Sequence, residues 1–194
     1  MKKSSLVIAL SISIMTLVLS SSSYAVDESG KMPRDEVAQK ESEVEIEQPV
    51  EYTLPYPGIL PDHPLYPLKK FRDRLLDFLI RDPIKRIEFN LLMSDKRYSM
   101  GIFFSDEEKY DRAYIIVAEA ESFYGRIPEE MQGVKDEQRT ISPDLLQKIK
   151  TAARKHQEIA STIKNKSPED MSEGYQKILD QIDQSVQKIE EKSK

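Results

Sequence analysis

The chain has 194 residues, 32% of them charged, with no cysteine and a formal net charge of −5. The missing cysteine excludes disulfides, thiolate catalysis and cysteine-ligated metals, so the core alone must hold the fold. Two histidines and six glycines leave little material for a metal cluster or a phosphate-cradling loop.

Residues 1–25 read as a secretory signal. Lys2 and Lys3 form a basic start, and residues 6–19 form an apolar run of the length signal peptides use. Ser23-Tyr24-Ala25 fits the small-x-small cleavage pattern, so cleavage after Ala25 is expected, leaving an exported chain that begins at Val26. The rival reading is an uncleaved anchor, for which the run is short. The mature chain has 27 basic and 34 acidic residues, a net charge of −7. Most of that charge lies in residues 26–51, where nine acids face three bases, and this segment reads as a disordered acidic leader. The remainder is close to neutral, which gives no basic footprint for nucleic acid.

Residues 52–125 read as a proline-rich strap followed by a three-helix module. Pro55, Pro57, Pro61, Pro64 and Pro67 stiffen the strap, and Tyr52, Tyr56, Leu60 and Tyr66 supply apolar mass along it. Such a run either binds a proline-recognising partner or lies on its own helices; the interleaved apolar residues favour the second. The first helix is expected over residues 65–80, with Asp62 placed to cap it and Leu68, Phe71, Leu75, Phe78 and Leu79 at helical spacing. Asp82-Pro83 has the form of an N-cap and first helical residue, opening a second helix that runs to about Gly101. Ser105 followed by Glu108 has the capping-box form, opening a third helix to Tyr124.

Residues 126–141, with Pro128 and Gly133, read as a long loop. Residues 142–194 read as a helical hairpin. Ser142-Pro143 opens a helix with Leu145, Ile149, Ala152, His156, Ile159 and Ile163 at four-three spacing. Ser167-Pro168 opens another, with Tyr175, Ile178, Ile182, Val186 and Ile189 repeating in the same way. The fold class is all-α: a short bundle of about five helices ending in an antiparallel hairpin.

The chemistry-bearing patterns are few. His156 lies on an apolar stripe, where a hydrogen-bonded core histidine is expected rather than a ligand. Asp62-His63 could form a relay, but neighbours in an extended run point to opposite sides. No zinc, calcium, phosphate-loop or nucleophile-elbow motif occurs, so no catalytic residue, cofactor or metal is assigned. A basic cluster, Lys69, Lys70, Arg72, Arg74, Arg81, Lys85 and Arg86, is interleaved with Asp73, Asp77, Asp82 and Glu88. It reads as a solvated, ion-paired face, as a surface for anionic headgroups or an acidic partner, or as a seat for the acidic leader.

Leu60-Pro61-Asp62, Pro64-Leu65-Tyr66 and Leu68-Lys69, followed by Asp82-Pro83 and Lys85, resemble the signature of a family of exported bacterial helical domains of unknown function. The resemblance covers residues 55–124. It continues through Asp95 and Arg97, with Tyr98 where that family carries an aliphatic residue and Ser99-Met100 where it carries an acidic-Ala step, then through Tyr110, Ala113 and Ala120. It implies an exported helical module and no activity. Gly101, Ala113 and Ala120 also match the small-residue spacing of one tetratricopeptide unit, which points to a tight helical hairpin.

The expected function is therefore a non-enzymatic module that binds another protein or a component of the cell envelope. Lys69, Lys70 and Arg74 are the contact candidates, and Pro61, Asp62, Tyr66, Asp82 and Pro83 the structural ones. The alternative is a small-molecule or metal sensor built on the tyrosines of the third helix, Tyr110, Tyr114 and Tyr124.

Overall fold

Six α-helices and one 3-10 turn order the structure, a computed structural model that describes residues 49–194: α1 Tyr66–Leu79, α2 Pro83–Asp106, α3 Tyr110–Tyr124, α4 Ile127–Asp136, α5 Pro143–Lys166 and α6 Ser172–Lys192, with the turn at Glu169–Met171. The described residues contain no strand, so the fold is an all-α bundle. The signal peptide expected at 1–25, and all but the end of the leader expected at 26–51, lie outside the described residues.

Two helix starts follow directly from local chemistry. The Asp82 side chain accepts the Lys85 amide at 3.0 Å, and Pro83 occupies the first turn, where its missing N–H costs nothing. Ser142 accepts the Leu145 amide at 3.3 Å ahead of Pro143. Three other expectations need correction. Asp62 does not cap α1; it pairs with Arg112 and Lys109 at the start of α3, and the α1 N-cap position is Leu65. Ser105 does not open α3. Buried Phe104 carries α2 past Gly101 to Asp106, and Ser105 is itself buried in the last turn. The chain then reverses through Glu108, whose φ of 58° closes a Schellman turn: the Lys109 amide reaches the Phe104 carbonyl and the Glu108 amide reaches that of Ser105.

The third correction is the loop expected at 126–141. Residues Ile127–Asp136 form α4, with Pro128 in its first turn, Glu129 and Glu130 beside it, and Ile127, Met131 and Val134 buried at i, i+4 and i+7. Gly133 does not break this helix; it lets α4 approach the start of α2, since a β-carbon there would lie 3.4 Å from Pro83. Gln138, at φ 56°, closes α4 with a second Schellman turn, so the true connection to α5 is short.

α2 sits at the centre of the bundle, packed on α3, α4 and α5; α6 covers α3, α4 and α5. The carboxy-terminal hairpin thus packs on the preceding module and shares one core with it. Ile87, Leu91, Tyr98 and Phe104 of α2 meet Ala113, Val117 and Tyr124 of α3, Met131 of α4, Ile149 and Ile163 of α5, and Tyr175 and Ile182 of α6. The α2–α3 hairpin is as tight as its small residues imply: a β-carbon on Gly101 would lie 2.6 Å from the Val117 side chain. Gly101→Ala is expected to destabilise the protein by about 1–2 kcal/mol even though alanine is the better helix former. A urea midpoint equal to or above the parent's would show that Val117 can move aside at no cost.

Candidate functional site

α1 is inside out. Of its fourteen residues only Asp73 is buried. Leu68 and Phe71 are each 65% exposed, Phe78 is 75% exposed, and Leu75, Leu76 and Leu79 are exposed as well. At about 100° per residue, Phe78, Phe71, Leu75, Leu68 and Leu79 fall on one stripe roughly 100° wide, with Arg74 on one flank and Arg72 on the other. Tyr66, Lys70, Asp73 and Asp77 occupy the opposite side, toward the bundle.

The inward side is held by charge. Lys70 pairs with Glu119 at 3.2 Å, and the same carboxylate takes Arg97 at 3.3 Å. Asp77 accepts from Arg126 at 3.1 Å, and Asp73 is paired with its neighbour Arg72. Phe123 anchors the seam, with the Arg97 and Arg126 guanidiniums 4.2 and 4.7 Å from its ring centre. Because the carboxylates of α1 turn inward, the charged residues at the edges of its outward face are arginines.

The strap runs from the bundle to α1 by a series of polar ties. The Tyr52 hydroxyl donates to Asp95 at 2.6 Å, and Ser99 donates to the Pro55 carbonyl at 2.7 Å. Lys69 donates to the carbonyls of Pro57 and Ile59, at 3.2 and 3.0 Å, and partial burial lowers its amine to about 8. The strap therefore lies on its own helices.

The contact candidates separate on this geometry. Lys69 and Lys70 are engaged within the chain, Lys69 by the strap and Lys70 by Glu119. Arg74 is exposed and makes no ion pair among the described residues. Among the structural candidates, Pro83 is buried and Asp82 caps α2 while pairing with Arg139 at 2.8 Å. Tyr66, the first residue of α1, is half-buried on its inner side, beside Lys69 and Lys70, and Pro61 lies partly buried in the strap next to Asp62.

His156 is fully buried and hydrogen-bonded, as its place on the α5 stripe predicts. Its Nε2 lies 2.9 Å from Asp95 and its ring stacks on Tyr98 at 4.0 Å. Desolvation lowers its pKa and keeps the imidazole neutral. Its Nδ1 faces Glu121, 3.9 Å away, a buried α3 carboxyl that accepts the Tyr98 hydroxyl at 2.5 Å. Burial raises Glu121 to about 8. The sequence reading passed over Glu121, although its place between Val117 and Tyr124 on the inner stripe of α3 was a usable signal.

Tyr124 and Tyr175 are fully buried, Tyr124 donates to the Ile149 carbonyl at 3.0 Å, and Tyr114 meets Tyr175 edge-on, so these rings fill the interior of α3 against α5 and α6. Tyr110 lies at the surface, beside the 3-10 turn. Among the described residues no cluster of three histidines or carboxylates is placed to hold a metal ion. Compared with family models, curated proteins and solved structures, the chain matches none.

Proposed function

We propose that this chain is an exported, non-enzymatic envelope-binding module that docks on a membrane surface of anionic headgroups through α1. One observation carries the reading: a helix anchored by ion pairs on its polar side and bare on its apolar side. In an aqueous domain the opposite orientation gains free energy, because each large apolar side chain removed from water contributes about 1.5–3 kcal/mol. An apolar stripe flanked by arginines is the arrangement of a helix lying in the headgroup boundary, with cations at the phosphate level and aromatic rings below it. α1 is too short to span a bilayer, and no described helix is long and apolar enough to do so, so the contact is peripheral.

The signal sequence at residues 1–25 and the resemblance to exported helical domains support the location. Lys69 and Lys70 act in this reading as seats that hold α1 at its angle, while Arg74 makes contact.

The test is co-sedimentation of residues 26–194 with vesicles of phosphatidylcholine, with and without phosphatidylglycerol. The parent is expected to bind the anionic vesicles. Phe71→Ser with Phe78→Ser is expected to weaken binding roughly a hundredfold, at about 1.5 kcal/mol per ring, with an unchanged urea midpoint because both rings are exposed in the free protein. No vesicle binding by the parent would defeat the proposal. A dimer that dissociates in the double variant would assign the face to a second copy instead.

A further inference from the structure

We infer that the seam beneath α1 holds a headgroup site, in which Arg74 and Arg126 clamp the phosphate of a lipid whose acyl chains lie along Phe71 and Phe78. This rests on the reading of α1 as the membrane-docking helix and specifies what the helix recognises. Between α1 and the α2–α3 hairpin lies a cavity of about 240 Å³, lined by Lys70, Arg74, Arg97 and Arg126 around Phe123. Three carboxylates share it, and each is already engaged: Asp73 by Arg72, Asp77 by Arg126, and Glu119 by Lys70 and Arg97. Since Arg72 lies outside the lining, the cavity keeps a surplus of positive charge, concentrated at Arg74, which makes no ion pair among the described residues.

The donors are also available. Arg126 gives one N–H to Asp77 and keeps the rest of its fork, and stacking on Phe123 fixes the plane of that fork. A phosphate oxygen accepts such charge-assisted, bidentate bonds.

Placement along the helix joins this site to the apolar stripe. Residues three and four apart are neighbours on a helix surface. Arg74 therefore adjoins Lys70 and Asp77 on the cavity side and Phe71 and Phe78 on the outer side. A lipid with its phosphate at Arg74 has its chains directed over the two phenylalanines. Arg72, on the far flank of the stripe, is not part of the lining of this cavity.

The probe is dihexanoyl phosphatidylglycerol, kept below its micelle concentration and added to the mature chain, with backbone amide shifts as the readout. Shifts are expected at Asp77, Ser122, Phe123 and Arg126. Arg74→Gln is expected to weaken the lipid about tenfold, and Arg72→Gln less than about twofold. Inorganic phosphate is expected at the same amides, at least about tenfold more weakly, because it brings no acyl chain. Equal losses for the two arginine variants would mean a diffuse electrostatic attraction and overturn the site. Phosphate as tight as the lipid would make it a free-anion site and overturn the lipid assignment. Vesicle binding that is lost in the phenylalanine variant, without localised shifts, would leave α1 as the docking helix and remove the headgroup site alone.

Discussion

Asp95→Ala is expected to cost about 3–4 kcal/mol, the largest loss at any single polar residue of this fold. Asp95 is buried on α2 and serves two partners from different parts of the chain, Tyr52 of the strap and His156 of α5. Truncation leaves His156 with both ring nitrogens unpaired, since its Nδ1 already has no hydrogen-bond partner. An orphaned buried donor costs about 1–3 kcal/mol, and the void left by the carboxylate adds to this. Tyr52→Phe removes only one bond and is expected to cost about 1 kcal/mol. Asp95→Asn keeps an acceptor and a donor in place and should recover most of the loss. Urea unfolding gives these values, and amide exchange over residues 50–60 reports the strap directly, because Tyr52 ties it to the bundle just after the Val50 amide donates to Glu158 of α5 at 2.8 Å. An Asp95→Ala midpoint within 1 kcal/mol of the parent's would mean that water enters and replaces both partners.

The parts of the fold written in local chemistry were legible. Asp82-Pro83 and Ser142-Pro143 start helices because an acceptor followed by proline satisfies the first turn, whatever surrounds it. His156 could be placed in the core because five neighbours on its stripe are apolar. Its partners could not, since Asp95 lies 61 residues away and Glu121 looks like any helix carboxylate until α3 is docked. α4 was missed because proline and glycine mark loops by habit, although here one starts the helix and the other permits a close approach. The two Schellman turns were hidden because Glu108 and Gln138, not glycine, take the left-handed conformation. The case of α1 differs in kind. Periodicity gives the stripe of Leu68, Phe71, Leu75, Phe78 and Leu79, but not the direction it faces. That direction is set by long-range pairs, Lys70 with Glu119 and Asp77 with Arg126, that no local pattern contains.

Glu121 makes stability fall as pH rises from about 6.5 to 8, and Glu121→Gln is expected to abolish the fall. Burial raises this carboxyl from 4.5 to about 8, so the folded chain holds a proton that the unfolded chain releases. Its contribution is complete below pH 4.5 and is lost progressively up to about 8. His156 acts in the opposite sense. Its folded pKa is lowered from 6.5, so the unfolded chain takes up a proton below 6.5 that the folded chain refuses, and stability rises with pH there. The two effects offset one another below 6.5 and leave the decline exposed above it. Over roughly 1.5 pH units, at about 1.4 kcal/mol each, the loss is on the order of 2 kcal/mol. The buried tyrosines that face Glu121, Tyr98 and Tyr124, have their pKa values raised above 10 and do not titrate in this window. Glutamine accepts the Tyr98 hydroxyl as the protonated acid does and can present an N–H toward His156, but it has no proton to lose. Urea unfolding at pH 6.5, 7.25 and 8 should therefore give a falling series for the parent and a level one for Glu121→Gln. A level series for the parent would mean that the folded chain binds no more protons than the unfolded chain above pH 6.5, so that Glu121 is already ionised in the fold.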